Sequence, residues 1–140
     1  MTQQEIAVAG RTISKRHPPF IIAELSANHN GDLSRALALI DAAKAAGADA
    51  VKFQTYTADM ITIDHDGPGF VLTEGLWRGR TLHDLYKEAG TPWEWHEALF
   101  ARCRELGLIA FSSPFDPTAV DFLESDRKST RLNSSHGYIS

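Results

Sequence analysis

Residues 18–55 read "PPFIIAELSANHNGDLSRALALIDAAKAAGADAVKFQT", and three successive patterns in this stretch decide the fold. The apolar, β-branched run behind the proline pair predicts a buried strand over 18–25. From Asp32 onward, Leu33, Ala36, Leu37, Ile40 and Ala43 recur at helical spacing. Asp32 stands where an N-cap belongs, and Gly47 stands one step past the end of the helix. "ADAVKFQT" (48–55) returns to strand character. A strand, a helix long enough to cross over and a second strand form a right-handed βαβ unit with parallel strands.

Working outward, "EIAVAGRTIS" (5–14) alternates weakly around Ala9-Gly10 and predicts a hairpin. On the other side, residues 56–90 lack clean periodicity, and "DHDGPG" marks a turn, so the stretch reads as a long functional loop. "TPWEWHEALFARCRELG" predicts a helix in which Thr91 caps, Pro92 takes the first helical position and Glu94 completes a capping box. Trp95, Leu99, Cys103 and Leu106 form its apolar stripe. "LIAFSSPFD" (108–116) is a third strand, and Asp116-Pro117 opens a last helix, "TAVDFLE". A hairpin followed by βαβαβα implies an α/β fold with a parallel sheet.

With 43% hydrophobic and 23% charged residues, the 140-residue chain has the composition of one globular domain. No apolar run reaches the roughly 18 residues that span a bilayer. The start "MTQQEIAVAG" lacks the basic and apolar parts of a secretory signal, and the single cysteine fits a reducing cytoplasm. A net charge of −4 gives no basic footprint for nucleic acid. No membrane and no nucleic-acid partner is therefore expected.

After Glu124 the text changes character. "DRKSTRLNSSH" (126–136) matches a forward translation of a widely used sequencing-library adapter, and Ile139-Ser140 fits its continuation. Residues 126–140 are read as a non-native, disordered tail, excluded from fold reasoning as scars are. The expected organisation is a hairpin over 1–17, a parallel α/β region over 18–125, and this tail.

Alternation sends residues i and i+2 of a strand to one face. Ile22 and Glu24 then share a face, as do Lys52 and Gln54, and as do Ile109, Phe111 and Ser113. In a (β/α)₈ barrel the inward face meets the active site at the C-terminal ends of the strands. Glu24, Lys52, Gln54 and Ser113 all lie at those ends, so a carboxylate, an ammonium, an amide and a hydroxyl are expected to converge there. The alternative is a structural Glu24–Lys52 ion pair, because a buried charge needs a partner in any fold. His29 reads either as a packing histidine at the helix start or as a ligand contact in "NHNG". Trp93, Trp95 and His96 read as a packing face before a binding surface. Cys103 sits on an apolar stripe and reads as core. His65 and Asp66 are two neighbours without a third metal ligand.

At these residues the chain resembles the sialic acid synthase family. "PFIIAELSANHNGDLSRALALIDAAKAAGADAVKFQTY" is similar to the family's first βαβ unit, including its "AE…NHNG" and "K-Q-T" motifs. "YTADMIT", "TPWEWHEALF" and "FSSPFDPTAVDFLE" are similar to its pseudaminic branch. The resemblance runs from about residue 5 to 124 and implies a partial, truncated (β/α)₈ TIM barrel: the first three βα units preceded by a β-hairpin. By this resemblance, 18–125 is the N-terminal part of a barrel synthase domain. Family members carry a further small antifreeze-like domain and work as homodimers in which that domain covers the partner's barrel mouth. They condense phosphoenolpyruvate with an open-chain amino sugar, giving a nine-carbon ulosonic acid and phosphate. For the pseudaminic branch the sugar is 2,4-diacetamido-2,4,6-trideoxy-altrose. The resemblance implies that Lys52, Gln54 and Ser113 bind phosphoenolpyruvate, that Glu24 lies beside the reacting carbons as the catalytic group, and that Asn28 and His29 line the site. It implies a divalent metal, Mn or Mg, held by histidines of later strands; no residue of this chain is assigned as a ligand, and this segment is expected to be inactive and to bind none. Rival readings are a sister synthase making N-acetylneuraminic or legionaminic acid, and a non-catalytic barrel-derived binding module.

Overall fold

A computed structural model describes residues 5–125, so the adapter-like run at 126–140 lies outside the described residues. Strands β1 (Ile6–Val8) and β2 (Arg11–Ile13) pair antiparallel. Their two-residue turn places Ala9 at φ 48° and Gly10 at φ 81°, the left-handed pair that a tight hairpin of this twist requires. β3 (Ile22–Glu24) leads through a turn into α1 (Leu33–Ala45), and β4 (Ala50–Thr55) follows. The expected strand over 18–25 is thus shorter, because the proline pair keeps its first residues out of the ladder. After α2 (Ala58–Ile61) and α3 (Leu82–Ala89), a 3₁₀ turn at Trp93–Trp95 runs into α4 (His96–Glu105), β5 (Ile109–Pro114) and α5 (Pro117–Ser125).

The second sheet has the order β3–β4–β5, with both pairings parallel. Its helix-side face supplies Val51, Phe53 and Ala110 to a core completed by Leu25, Ala36, Ile40, Leu99, Phe100, Cys103 and Leu108. Burial there pushes the Cys103 thiol up to about 12, which leaves it an unreactive packing group. α1 and α4 lie side by side on this face, and Arg102 donates to Asp41 across them at 2.7 Å.

Both helices end in the same way. Asp32 caps α1 by accepting from the Ser34 and Arg35 amides. At its other end Gly47, at φ 85°, donates to the Lys44 carbonyl, and Ala48 donates to Ala43. α4 repeats this exit: Gly107 donates to Arg104, and Leu108 donates to Cys103. In each case the residue after glycine is buried and starts the approach to a strand.

Two expectations need correction. Thr91 does not cap α4, and no capping box forms there; no side-chain cap bond is present at the 3₁₀ turn or at α4. Instead Thr91 is buried, with its hydroxyl 3.4 Å from His29 Nε2. Residues 56–90 are also more regular than their text suggests. Phe70, Leu72 and Gly79–Leu82 form a short ribbon of backbone hydrogen bonds, and Thr81 caps α3 by accepting from the Asp84 amide. Leu82, Leu85, Tyr86 and Ala89 carry the helical spacing that identifies α3.

Candidate active site

Register decides what the open face of the sheet presents, because directly paired residues of parallel strands point the same way. The lowest rung is Ile22, Ala50 and Ile109; the next is Glu24, Lys52 and Phe111; the third is Gln54 and Ser113. The face therefore runs from apolar to charged to neutral polar towards the C-terminal ends. The four residues singled out by alternation share this face. Glu24 and Lys52 are in contact, with Nζ to Oε1 at 2.6 Å. The lysine side chain is only 15% exposed and the carboxylate 57% exposed, so the ammonium is the more enclosed partner. Its three donors exceed what one carboxylate takes up, which equips it to hold an added anion. Gln54 and Ser113 sit about 7 Å further along the strands, two residues up.

The chain leaves β3 abruptly. Leu25 donates to the Lys52 carbonyl, and Ser26 then turns with φ 47°. A left-handed serine at a strand end is costly by about 1–2 kcal/mol, and the turn behind it must hold it. Asn28 donates twice to the Leu25 carbonyl, from its backbone at 3.2 Å and from its side chain at 3.0 Å. Its own carbonyl accepts from Arg35 Nε at 2.8 Å. Asn30 and Gly31 both adopt positive φ, after which Asp32 starts α1.

Asn28 is exposed in this turn, whereas His29 is wholly buried. The Gly31 amide donates to His29 Nδ1 at 3.0 Å, so the ring proton resides on Nε2. That nitrogen faces the Thr91 hydroxyl at 3.4 Å, the ring also contacts the Ala89 backbone, and it packs in a T-shaped arrangement with Trp95 at 5.4 Å. Burial lowers its pKa, with the Ala89 bond opposing in part. Both nitrogens are thus engaged by the chain itself, and His29 stands apart from the four residues on the open face.

Reading the sequence missed a polar group behind the site. Thr55, His96 and Ser112 meet on the helix side of the sheet, all buried. Thr55 Oγ1 lies 2.7 Å from His96 Nε2 and 2.6 Å from Ser112 Oγ. The signal was available: Thr55 and Ser112 hold positions on a face otherwise built from Val51, Phe53 and Ala110. His65 packs edge-on against Phe70, and His83 contacts Asp59 at 2.8 Å with Asp64 at 3.9 Å. Among the described residues no group of three or more His, Cys, Asp or Glu side chains is placed to hold a metal ion.

Comparison with known proteins adds three findings. The model of the NeuB family matches residues 39–134. Pseudaminic acid synthase of Campylobacter jejuni subsp. jejuni serotype O:2 is 52% identical over 105 residues, which cover 75% of this chain and 31% of that protein. The Helicobacter pylori pseudaminic acid synthase is 48% identical over 108 residues, covering 77% and 32% respectively. Among solved structures, the N-acetylneuraminic acid (sialic acid) synthetase from Leptospira borgpetersenii serovar Hardjo-bovis, in complex with citrate, superposes with a TM-score of 0.69 at 32% identity. That match covers 88% of this chain and 38% of the other. The chain thus spans about a third of the length of the curated relatives it matches.

Proposed function

The chain belongs to the NeuB family, and from that premise we propose that it supplies the first part of a (β/α)₈-barrel pseudaminic acid synthase. The complete enzyme condenses phosphoenolpyruvate with 2,4-diacetamido-2,4,6-trideoxy-altrose and releases phosphate. The observation that carries the reading is the shared face of Glu24, Lys52, Gln54 and Ser113 at adjoining strand ends, with Glu24 against Lys52.

In this proposal Lys52 holds the anionic end of phosphoenolpyruvate, and Gln54 and Ser113 donate to its oxygens. A C–C bond forms between C3 of phosphoenolpyruvate and the aldehyde carbon, whose oxygen takes up a proton. Positive charge grows at C2, where the Glu24 carboxylate stabilises it and orients the water that adds there. Collapse of the resulting adduct expels phosphate and leaves the ketone. Asn28 lines the rim, while His29 shapes the turn from behind it. In the complete protein a divalent metal would be held by histidines of later strands and would polarise the aldehyde oxygen; among the described residues no such ligand group is assembled. The complete protein is read as a cytoplasmic homodimer, as the family resemblance implies.

A graft tests this. Residues 5–124 replace the matching segment of the Campylobacter jejuni relative, and phosphate release is followed with phosphoenolpyruvate and each candidate sugar. Turnover with the altrose derivative is expected; preference for the precursor of legionaminic or N-acetylneuraminic acid would assign a sister synthase instead. Lys52→Ala in the graft should lower kcat/KM for phosphoenolpyruvate by about 10²-fold or more. Full turnover in that variant would return Glu24–Lys52 to a structural pair.

A further inference from the structure

We propose that Thr55, His96 and Ser112 form a positioning device for the Gln54–Ser113 rung, acting from the opposite face of the sheet. The inference rests on reading that rung as part of the phosphoenolpyruvate site. His96 Nδ1 faces the Trp93 carbonyl at 3.1 Å and the Pro92 carbonyl at 3.4 Å, so it must carry the proton. In the neutral ring Nε2 is then an acceptor, and the Thr55 hydroxyl donates to it at 2.7 Å. Thr55 Oγ1 in turn accepts from Ser112 at 2.6 Å. The chain of donors runs one way, from β5 to β4 to the start of α4.

Its place in the register gives it its role. Thr55 and Ser112 are the chain neighbours of Gln54 and Ser113, which pair directly. Alternation puts the first two behind the sheet and the second two in front. A hydrogen bond between the back residues fixes how far one strand tip advances past the other, and so fixes the spacing of the front pair. His96 ties both tips to the 3₁₀ turn at Trp93–Trp95. Packing alone does not call for polar groups here, since apolar residues of the same shape fill such sites at little or no cost. Ser112 pairs in register with Phe53, and Thr55 with Pro114, so the Thr55–Ser112 bond runs diagonally between two rungs. Displacing a binding group by an ångström costs on the order of 10²-fold in rate, which is the advantage a fixed rung gives.

The test uses the graft described above with three changes: Thr55→Val, Thr55→Ser and Ser112→Ala. Thr55→Val keeps the shape and removes the bonds; Thr55→Ser keeps the hydroxyl. We expect Thr55→Val to raise KM for phosphoenolpyruvate about tenfold, with a smaller change in kcat, and Thr55→Ser to stay within about twofold. Ser112→Ala, which leaves the Thr55–His96 bond, should fall between them and covers a failure of the valine variant to fold. A second readout does not depend on turnover: exchange of the Phe115 amide, which donates to the Thr55 carbonyl at 3.3 Å. It should quicken about tenfold in Thr55→Val and not in Thr55→Ser. If the unsubstituted graft is inactive, the functional reading fails, and the amide exchange alone decides the positioning role. Equal kinetics and equal exchange in the valine and serine variants would overturn it, and so would equal losses in both.

Discussion

A neutral imidazole at position 29 is a condition of the turn around it. The Gly31 amide points its hydrogen at Nδ1, and a second ring proton, placed on that nitrogen, would meet it head-on inside a fully buried site. Burial accordingly holds the folded pKa below the ordinary 6.5. Between the folded value and 6.5 the unfolded chain binds more protons than the folded one, so stability rises with pH in that window. The contribution is complete above about pH 6.5 and is lost as pH falls through the folded value. Thermal melts of the graft between about pH 7.5 and 5 should show this loss, and His29→Gln should flatten it. An unchanged slope in the variant would remove His29 as the titrating group. At this scale the sequence was informative wherever a strand reports on itself. Period-two alternation in 22–24, 50–55 and 109–114 put Glu24, Lys52, Gln54 and Ser113 on one face. It put Thr55 behind the sheet beside Val51 and Phe53 but could not show the bonds among Thr55, His96 and Ser112, which join residues 41 and 57 apart in the chain. For the same reason Thr91 looked like a cap: the buried histidine that its hydroxyl faces lies 62 residues away.

Among the elements, the hairpin is fastened to the sheet by one carboxylate. Asp49, just before β4, accepts from Arg11 of β2 and from the Ile21 amide at 2.7 Å. Its backbone donates to Ile21 and accepts from Ile109, so a single residue joins the N-terminal ends of all three parallel strands. Arg11 also donates to the Pro19 carbonyl at 3.2 Å and lies over the Phe20 ring. Asp49→Ala leaves the part-buried Arg11 and the Ile21 amide without their acceptor, at a cost of about 1–3 kcal/mol. Chemical denaturation of the graft measures that loss, and faster amide exchange across Ile6–Ile13 should accompany it. Turnover per folded molecule should hold, because Asp49 lies at the opposite end of β4 from Gln54. The first helix was legible with both of its ends, since Asp32 and Gly47 signal locally. α3 was missed although Leu82, Leu85, Tyr86 and Ala89 have helical spacing. Eight residues are too short to stand out against the glycines at 67, 69, 75 and 79 that precede them.

For the whole molecule, the open face and the outer edges of β3 and β5 set the behaviour of the isolated chain. Ile21 and Ile22 are about half exposed, as are Phe115 and Val120 to a lesser degree. Among the described residues, β3 and β5 each pair on one side only. Unpaired strand edges beside apolar surface are templates for association. The isolated chain should therefore self-associate or fold only in part, and it should release no phosphate from phosphoenolpyruvate. Size-exclusion chromatography and dye binding check the first point; a monomer with a cooperative melt would contradict it. The parallel α/β arrangement was legible because each crossover is local in sequence. Closure into the proposed barrel was not, because it would depend on pairings beyond the three parallel strands described. The twin helix exits at Gly47 and Gly107 have a wider meaning. Each hands the backbone to its next strand through one stereotyped joint, so the sheet grows by iterating a single geometric step. Lengthening it by another such cell calls for no new kind of corner, only another copy of the same one.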